Sequence, residues 1–139
     1  MHSKLLFLDF DGVLHSTTSK TEDLFQRAEL LNALLSKKPC SVVISSSWRF
    51  HYELLHIQNL FRKPLSSLII GTTGKALSGR WPRYNEILDF LHKLSIDTDW
   101  RALDDAFLEF PAECAELIKC DPKKGITDRE IAILSNWLN

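Results

Sequence analysis

Four apolar residues in a row, Leu5–Leu8, stop without transition at Asp9-Phe10-Asp11-Gly12. A half-exposed strand would alternate apolar and polar residues, so an unbroken run this short reads as a strand buried on both faces, inside a parallel sheet covered by helices. Shorter or interrupted apolar stretches, each likewise ended by polar or turn residues, recur along the chain. Ser41–Ile44 stops at Ser45-Ser46-Ser47, Leu68–Ile70 at Gly71, Trp100–Leu103 at Asp104-Asp105, and Ala115–Cys120 at Asp121-Pro122. Between these runs the apolar period changes to that of helices. Glu22–Leu35 sets Leu24, Phe25, Ala28, Leu31, Leu34 and Leu35 on one side, a further helix starts near Trp48 behind the capping serines, and others span Arg83–Leu94 and Ile126–Leu138. Thr72–Pro82 is rich in Gly, Thr and Ser and reads as loop. Strands alternating with helices predict one doubly wound, Rossmann-like α/β domain over residues 1–139, with a parallel sheet of about five strands.

Such sheets place their sites at the carboxyl ends of the strands. Here those ends carry Asp9 and Asp11, Ser45 and Ser46, and Asp104 and Asp105. Strand direction repeats every two residues, so Asp9 and Asp11 can point the same way, and Asp105 adds a third carboxylate. Like charges this close need protons or a cation, and hard oxygen ligands suit Mg²⁺. Gly12 allows the chain to turn sharply just beyond the two acids. A phosphate-binding P-loop is not present: in Gly71-Thr-Thr-Gly-Lys75 the first glycine's place is held by Ile69, and Ala76 stands where Ser or Thr must meet magnesium. A receiver domain would end its third strand in an aspartate, where this chain has Gly71.

The run Leu5-Leu-Phe-Leu-Asp-Phe-Asp-Gly-Val13 resembles the first motif of the haloacid dehalogenase (HAD) superfamily. The resemblance implies that Asp9 attacks phosphorus to form an aspartyl phosphate, while Asp11 protonates the leaving oxygen and then activates water. It implies a hydroxyl after the second strand that bonds a phosphoryl oxygen. Ser45 fits that place first, and Ser46 stays open as the alternative. It implies a cation at the helix before the fourth strand, where Arg83 is favoured over Arg80 and Lys75. Of the acidic pair, Asp105 is expected to meet Mg²⁺ together with Asp9 and Asp11, with Asp104 beside it or bound through water. Trp48-Arg49 and the later Cys120-Asp-Pro-Lys-Lys-Gly-Ile-Thr127 resemble a capless branch, the HAD domain of Swiss Army Knife RNA repair proteins. Val13–Pro39 and Trp48–Pro82 are too short for a cap domain, and Asp11 argues against the dehalogenase branch, which lacks that acid. The expected activity is therefore a Mg²⁺-dependent phosphatase on a phosphorylated end of RNA or another macromolecule, with Ser46, Arg49 and Arg80 as substrate-binding groups. The alternatives are a binding module without turnover and a small-metabolite phosphatase.

A net charge of -1 supplies no general attraction for nucleic acid, so any such binding must come from a local patch. Cys40, Cys114 and Cys120 have no metal-ligand spacing and an odd count, which predicts reduced thiols. The N-terminal apolar run is too short for a signal or a membrane span, and a cytoplasmic location is expected. The five histidines form no metal motif, although His15 and His51 lie nearest the motif ends.

Overall fold

The computed structural model describes residues 2–95 and 97–139. Strands β1 (Lys4–Leu8), β2 (Ser41–Ile44), β3 (Ile69–Thr72), β4 (Asp99–Asp104) and β5 (Leu117–Lys119) form one parallel sheet in the order β3-β2-β1-β4-β5. The apolar runs are continuous because both faces of the sheet are covered. Leu6, Leu8, Val42, Ile44 and Leu103 pack toward Leu31, Leu34 and Leu35 of α1 (Ala28–Lys37), Leu134 of α5 (Asp128–Trp137), and the short helices α2 (Leu54–Gln58) and α3 (Leu65–Leu68). Leu5, Phe7, Val43, Trp100 and Ala102 pack on the opposite face against Ile87, Tyr84 and Phe90 of α4 (Pro82–Leu94). Phe7 meets Phe90 and Trp100 edge-on, with ring centroids 5.8 and 5.7 Å apart. Each fully buried Leu or Phe of β1 contributes about 1.5–3 kcal/mol by leaving water, so the strand that leads into Asp9 is strongly anchored.

Two expected helices are shorter than their apolar spacing suggests. Glu22–Leu35 opens inside a 3₁₀ turn, Thr21–Asp23, and regular helix starts only at Ala28. The intervening Phe25 is left-handed, with φ 61°, and its backbone N–H is drawn to His15, while the Arg27 N–H bonds the Leu14 carbonyl. This stretch is tethered to the loop after β1 and cannot wind as a helix. After β2 the chain makes a 3₁₀ turn, Ser47–Phe50, in place of a helix beginning at Trp48. α4 opens with Pro82 in its first turn, where a missing N–H costs nothing. α5 is held at its start by a capping box between Thr127 and Glu130, which delays it from Ile126 to Asp128.

The connections after β1 and β2 hold only these short helices and turns, so the domain has no cap. No described helix is long and apolar enough to cross a membrane.

Candidate active site

The strand order sets the position of the site. From β1 the chain builds outward to β2 and β3 on one side, then returns to β4 and β5 on the other, so the carboxyl ends of β1 and β4 flank the point where the winding reverses. Ligands bind at such points. Leu5 and Phe7 face α4, and the alternation carries Asp9 to the same face, as it carries Asp104 after Trp100 and Ala102. Arg83, in the first turn of α4, reaches down between them. Its Nη1 lies 2.9 Å from Asp104 Oδ2 and 3.3 Å from Asp9 Oδ1. Asp104 Oδ1 accepts from the Ala106 N–H, which fixes its orientation.

Asp105 has the opposite parity and lies past the strand end, with its carboxyl packed against Gly12. A Cβ on Gly12 would fall 2.2 Å from Asp105 Oδ2, and the residue has φ +80°, so both space and backbone require glycine here. The result is a group of three acids, Asp9, Asp104 and Asp105, each with an oxygen within 4.8 Å of the others.

Asp9 and Asp104 are buried, and burial raises the pKa of both; Asp104 and Asp105 push Asp9 further up, while Arg83 works against the rise. Burial also opposes the charge on Arg83, but the carboxylates of Asp104 and Asp9 outweigh it and its pKa is raised. One guanidinium thus pairs with two carboxyls of a group of three. An all-oxygen donor set with excess negative charge could hold a hard divalent cation, which would in turn keep Asp9 ionised.

The serines divide. Ser45 is buried on the α4 face beyond Val43, and its hydroxyl has no hydrogen-bond partner. Ser46 is committed elsewhere, its Oγ accepting from the Trp48 N–H at the start of the 3₁₀ turn. Thr73 escaped sequence reasoning. Its N–H bonds the Ile44 carbonyl, it follows Thr72, which pairs with Ile44, and its hydroxyl is likewise buried without a partner. Buried hydroxyls without partners are uncommon in a folded interior, and two of them lie here at the ends of neighbouring strands. The sequence hid Thr73 because it sits in a stretch read as loop, one residue beyond an underestimated β3.

Three expected site residues lie apart from the acid cluster. The carboxylate of Asp11 does not join the other acids as a metal ligand; it turns aside, its oxygens bonded to His15 and Trp48. Arg49 is no phosphate clamp. Its guanidinium is buried and bonds Glu86 Oε1 and the carbonyls of Ser45, Ser46 and Gly74, so it ties the end of β2 to the following loop and α4. Arg80 stays exposed over the ring of Trp81, 5.3 Å away, and meets none of the acids. Lys75 is exposed in the same loop, which leaves Arg83 as the cation in contact with the cluster.

The segment Asp121–Gly125 folds back onto the loop after β1. Ile126 N–H bonds the Val13 carbonyl at 2.7 Å, Thr17 N–H bonds that of Pro122, and Gly125, at φ +74°, passes so close to Val13 that a Cβ would come within 2.6 Å of its oxygen. Beside it, Asp105, Phe107, Lys119, Cys120, Pro122 and Arg129 line a cleft of about 500 Å³.

A family model described as the HAD domain in Swiss Army Knife RNA repair proteins matches residues 5–131. No curated protein and no solved structure matches the chain. With the match running from β1 into α5, the chain belongs to this HAD-domain family.

Proposed function

We propose that the protein is a Mg²⁺-dependent phosphohydrolase acting through an aspartyl phosphate on Asp9. The observation that carries this reading is the meeting of buried Asp9 with Asp104, Asp105 and Arg83 beside the unpartnered hydroxyl of Ser45. Asp9 attacks phosphorus, the bond to the leaving oxygen breaks, and Asp11 gives that oxygen a proton. Asp11 then takes a proton from water, whose oxygen attacks the same phosphorus and releases Asp9 with inorganic phosphate. Ser45 donates to a phosphoryl oxygen as charge moves onto it, and Arg83 offsets the added negative charge. Asp9 and Asp105, with Asp104 alongside, would hold Mg²⁺, which when bound would supply positive charge against the phosphoryl oxygens and the crowded acids.

With no cap to close over a small molecule, selectivity would come from a large substrate or a second chain. Trp48, Tyr52 and His56 form a row of rings leading away from Asp11, with centroids 5.3 and 4.7 Å apart, and Tyr52 and His56 are exposed. Aromatic edges and faces of this kind accept unpaired bases. Together with the family membership, this supports a terminal phosphate on RNA or another nucleic acid as substrate.

The test is release of phosphate from p-nitrophenyl phosphate with Mg²⁺, followed by kcat/KM on 3′- and 5′-phosphorylated oligonucleotides, phosphopeptides, mononucleotides and sugar phosphates at low and moderate salt. Polymer ends should lead, with efficiency falling as salt rises. A preference for free nucleotides or sugar phosphates would make the protein a metabolite phosphatase. No turnover of any of them, across several divalent metals, would make it a binding module.

A further inference from the structure

Asp11 stands outside the carboxylate cluster, yet it is not left loose. Its Oδ1 lies 2.7 Å from His15 Nε2, and its Oδ2 accepts from the indole Nε1–H of Trp48 at 3.2 Å. The imidazole is itself fixed, because Nδ1 accepts the backbone N–H of Phe25 at 3.1 Å. A ring nitrogen that accepts carries no proton, so the neutral ring holds its proton on Nε2 and donates it to Asp11.

The surroundings keep this arrangement in place. His15 is 1% exposed and meets the Phe25 ring edge-on at 5.2 Å, and Trp48 packs edge-on against Phe10 and Phe25. Phe25 has φ 61°, an unfavourable conformation for an aromatic residue, and in it the Phe25 N–H meets the imidazole. Buried rings and a strained backbone thus converge on an acid whose own side chain is 51% exposed.

We infer that His15, assisted by Trp48, is a positioning residue that holds the Asp11 carboxylate in one orientation at the rim of the site, an inference that rests on the phosphohydrolase reading. A half-exposed carboxylate without these two donors would visit several rotamers, whereas proton transfer needs a heavy-atom approach of about 2.6–3.2 Å. The loss should therefore fall on the step that needs the proton most. An alkoxide leaves poorly unless protonated as the bond breaks, while p-nitrophenolate leaves unaided.

The experiment compares His15→Phe, which keeps a ring but removes the donor, with His15→Gln, whose amide reaches the position of Nε2. For each, kcat/KM is measured on p-nitrophenyl phosphate and on an alkyl phosphomonoester with Mg²⁺, since this ratio reports steps through phosphoryl transfer. His15→Phe should lose roughly 100-fold on the alkyl ester, the size expected from misplacing a catalytic group by about 1 Å, and less than about 3-fold on the aryl ester. His15→Gln should recover most of the alkyl loss. Two-bond ¹H–¹⁵N spectra of the wild-type protein at neutral pH should show Nδ1 bare and Nε2 protonated. Equal losses on both esters, or a glutamine variant no better than phenylalanine, would overturn the inference. If the wild-type protein turns over neither ester, the phosphohydrolase reading falls. The spectra then decide the contact on their own, and a proton on Nδ1 overturns it.

Discussion

Replacing Arg83 by methionine removes the positive charge from the acid cluster while nearly keeping the volume of the side chain. In the native protein Arg83 lies 2.9 Å from Asp104 and 3.3 Å from Asp9, and both acids have raised pKa values because they are buried. An acid whose pKa is raised on folding stabilises the fold at low pH and loses that contribution as pH rises through the folded value. Asp104 is the nearer partner of Arg83, at 2.9 Å against 3.3 Å for Asp9, so the loss of the cation falls chiefly on Asp104. Without Arg83, Asp104 must take a proton or stay buried as an unpaired charge. Protonation caps the cost: from an ordinary carboxylate value of 3.8, holding a proton at neutral pH costs about 4 kcal/mol, falling by about 1.4 kcal/mol for each pH unit downward.

Arg83→Met should therefore lose up to about 4 kcal/mol at pH 7, a drop in Tm on the order of 10 °C, and only about 1.5 kcal/mol at pH 5. Arg83→Lys should recover much of the loss. Thermal melts with chelator present, from pH 5 to pH 8, measure both the size and the slope. A methionine variant that melts with the wild type at every pH would show that the carboxylates do not depend on this cation, and the electrostatic account of the site would be wrong.

Asp9→Asn should abolish turnover and leave the fold intact, with equal or higher Tm since a buried acid is removed; more than a few per cent residual activity would displace Asp9 as nucleophile. Asp105→Ala should weaken the response of activity to Mg²⁺ while relieving repulsion in the cluster, and unchanged magnesium affinity by titration would move the ligand role to Asp104. Gly12→Ala should cost roughly 1–2 kcal/mol for the left-handed backbone and, by displacing Asp105, reduce activity more than stability; an active variant with a native-like melt would contradict the close approach.

The parts of the fold set by long-range burial were legible in the sequence. β1 and β2 show as short apolar runs because both faces of the sheet are covered, Trp100–Leu103 keeps that character around Arg101, and the acids after β1 and β4 could be placed on one edge from that pattern. What failed was what local pattern cannot express. Leu24 and Phe25 repeat at helical spacing, yet a tertiary hydrogen bond to His15 pulls Phe25 out of any helix. Asp9 and Asp11 share a strand direction on paper, but Gly12 starts the turn at once and His15 and Trp48 draw Asp11 away. Arg49 had the charge of a phosphate ligand, and only its burial against Glu86 and three carbonyls reveals a brace. The choice between Ser45 and Ser46 needed the Trp48 N–H, because either serine can cap a turn.

The strand order also bears on how the protein is made. Of the five strands β1 is made first but lies in the middle of the sheet, so the strand bearing Asp9 gains one neighbour when residue 44 has been made and the other only when residue 104 has. Arg83 precedes Asp104 and Asp105 in the chain, so the guanidinium is already available when the acids that crowd Asp9 arrive. The loop that carries Asp11 is fastened last, by Gly125 and Ile126. N-to-C synthesis thus brings out the two later acids after their counter-charge, and a nascent chain halted before residue 104 holds Asp9 at an open sheet edge without Asp104 and Asp105, with no assembled acid cluster to repel itself.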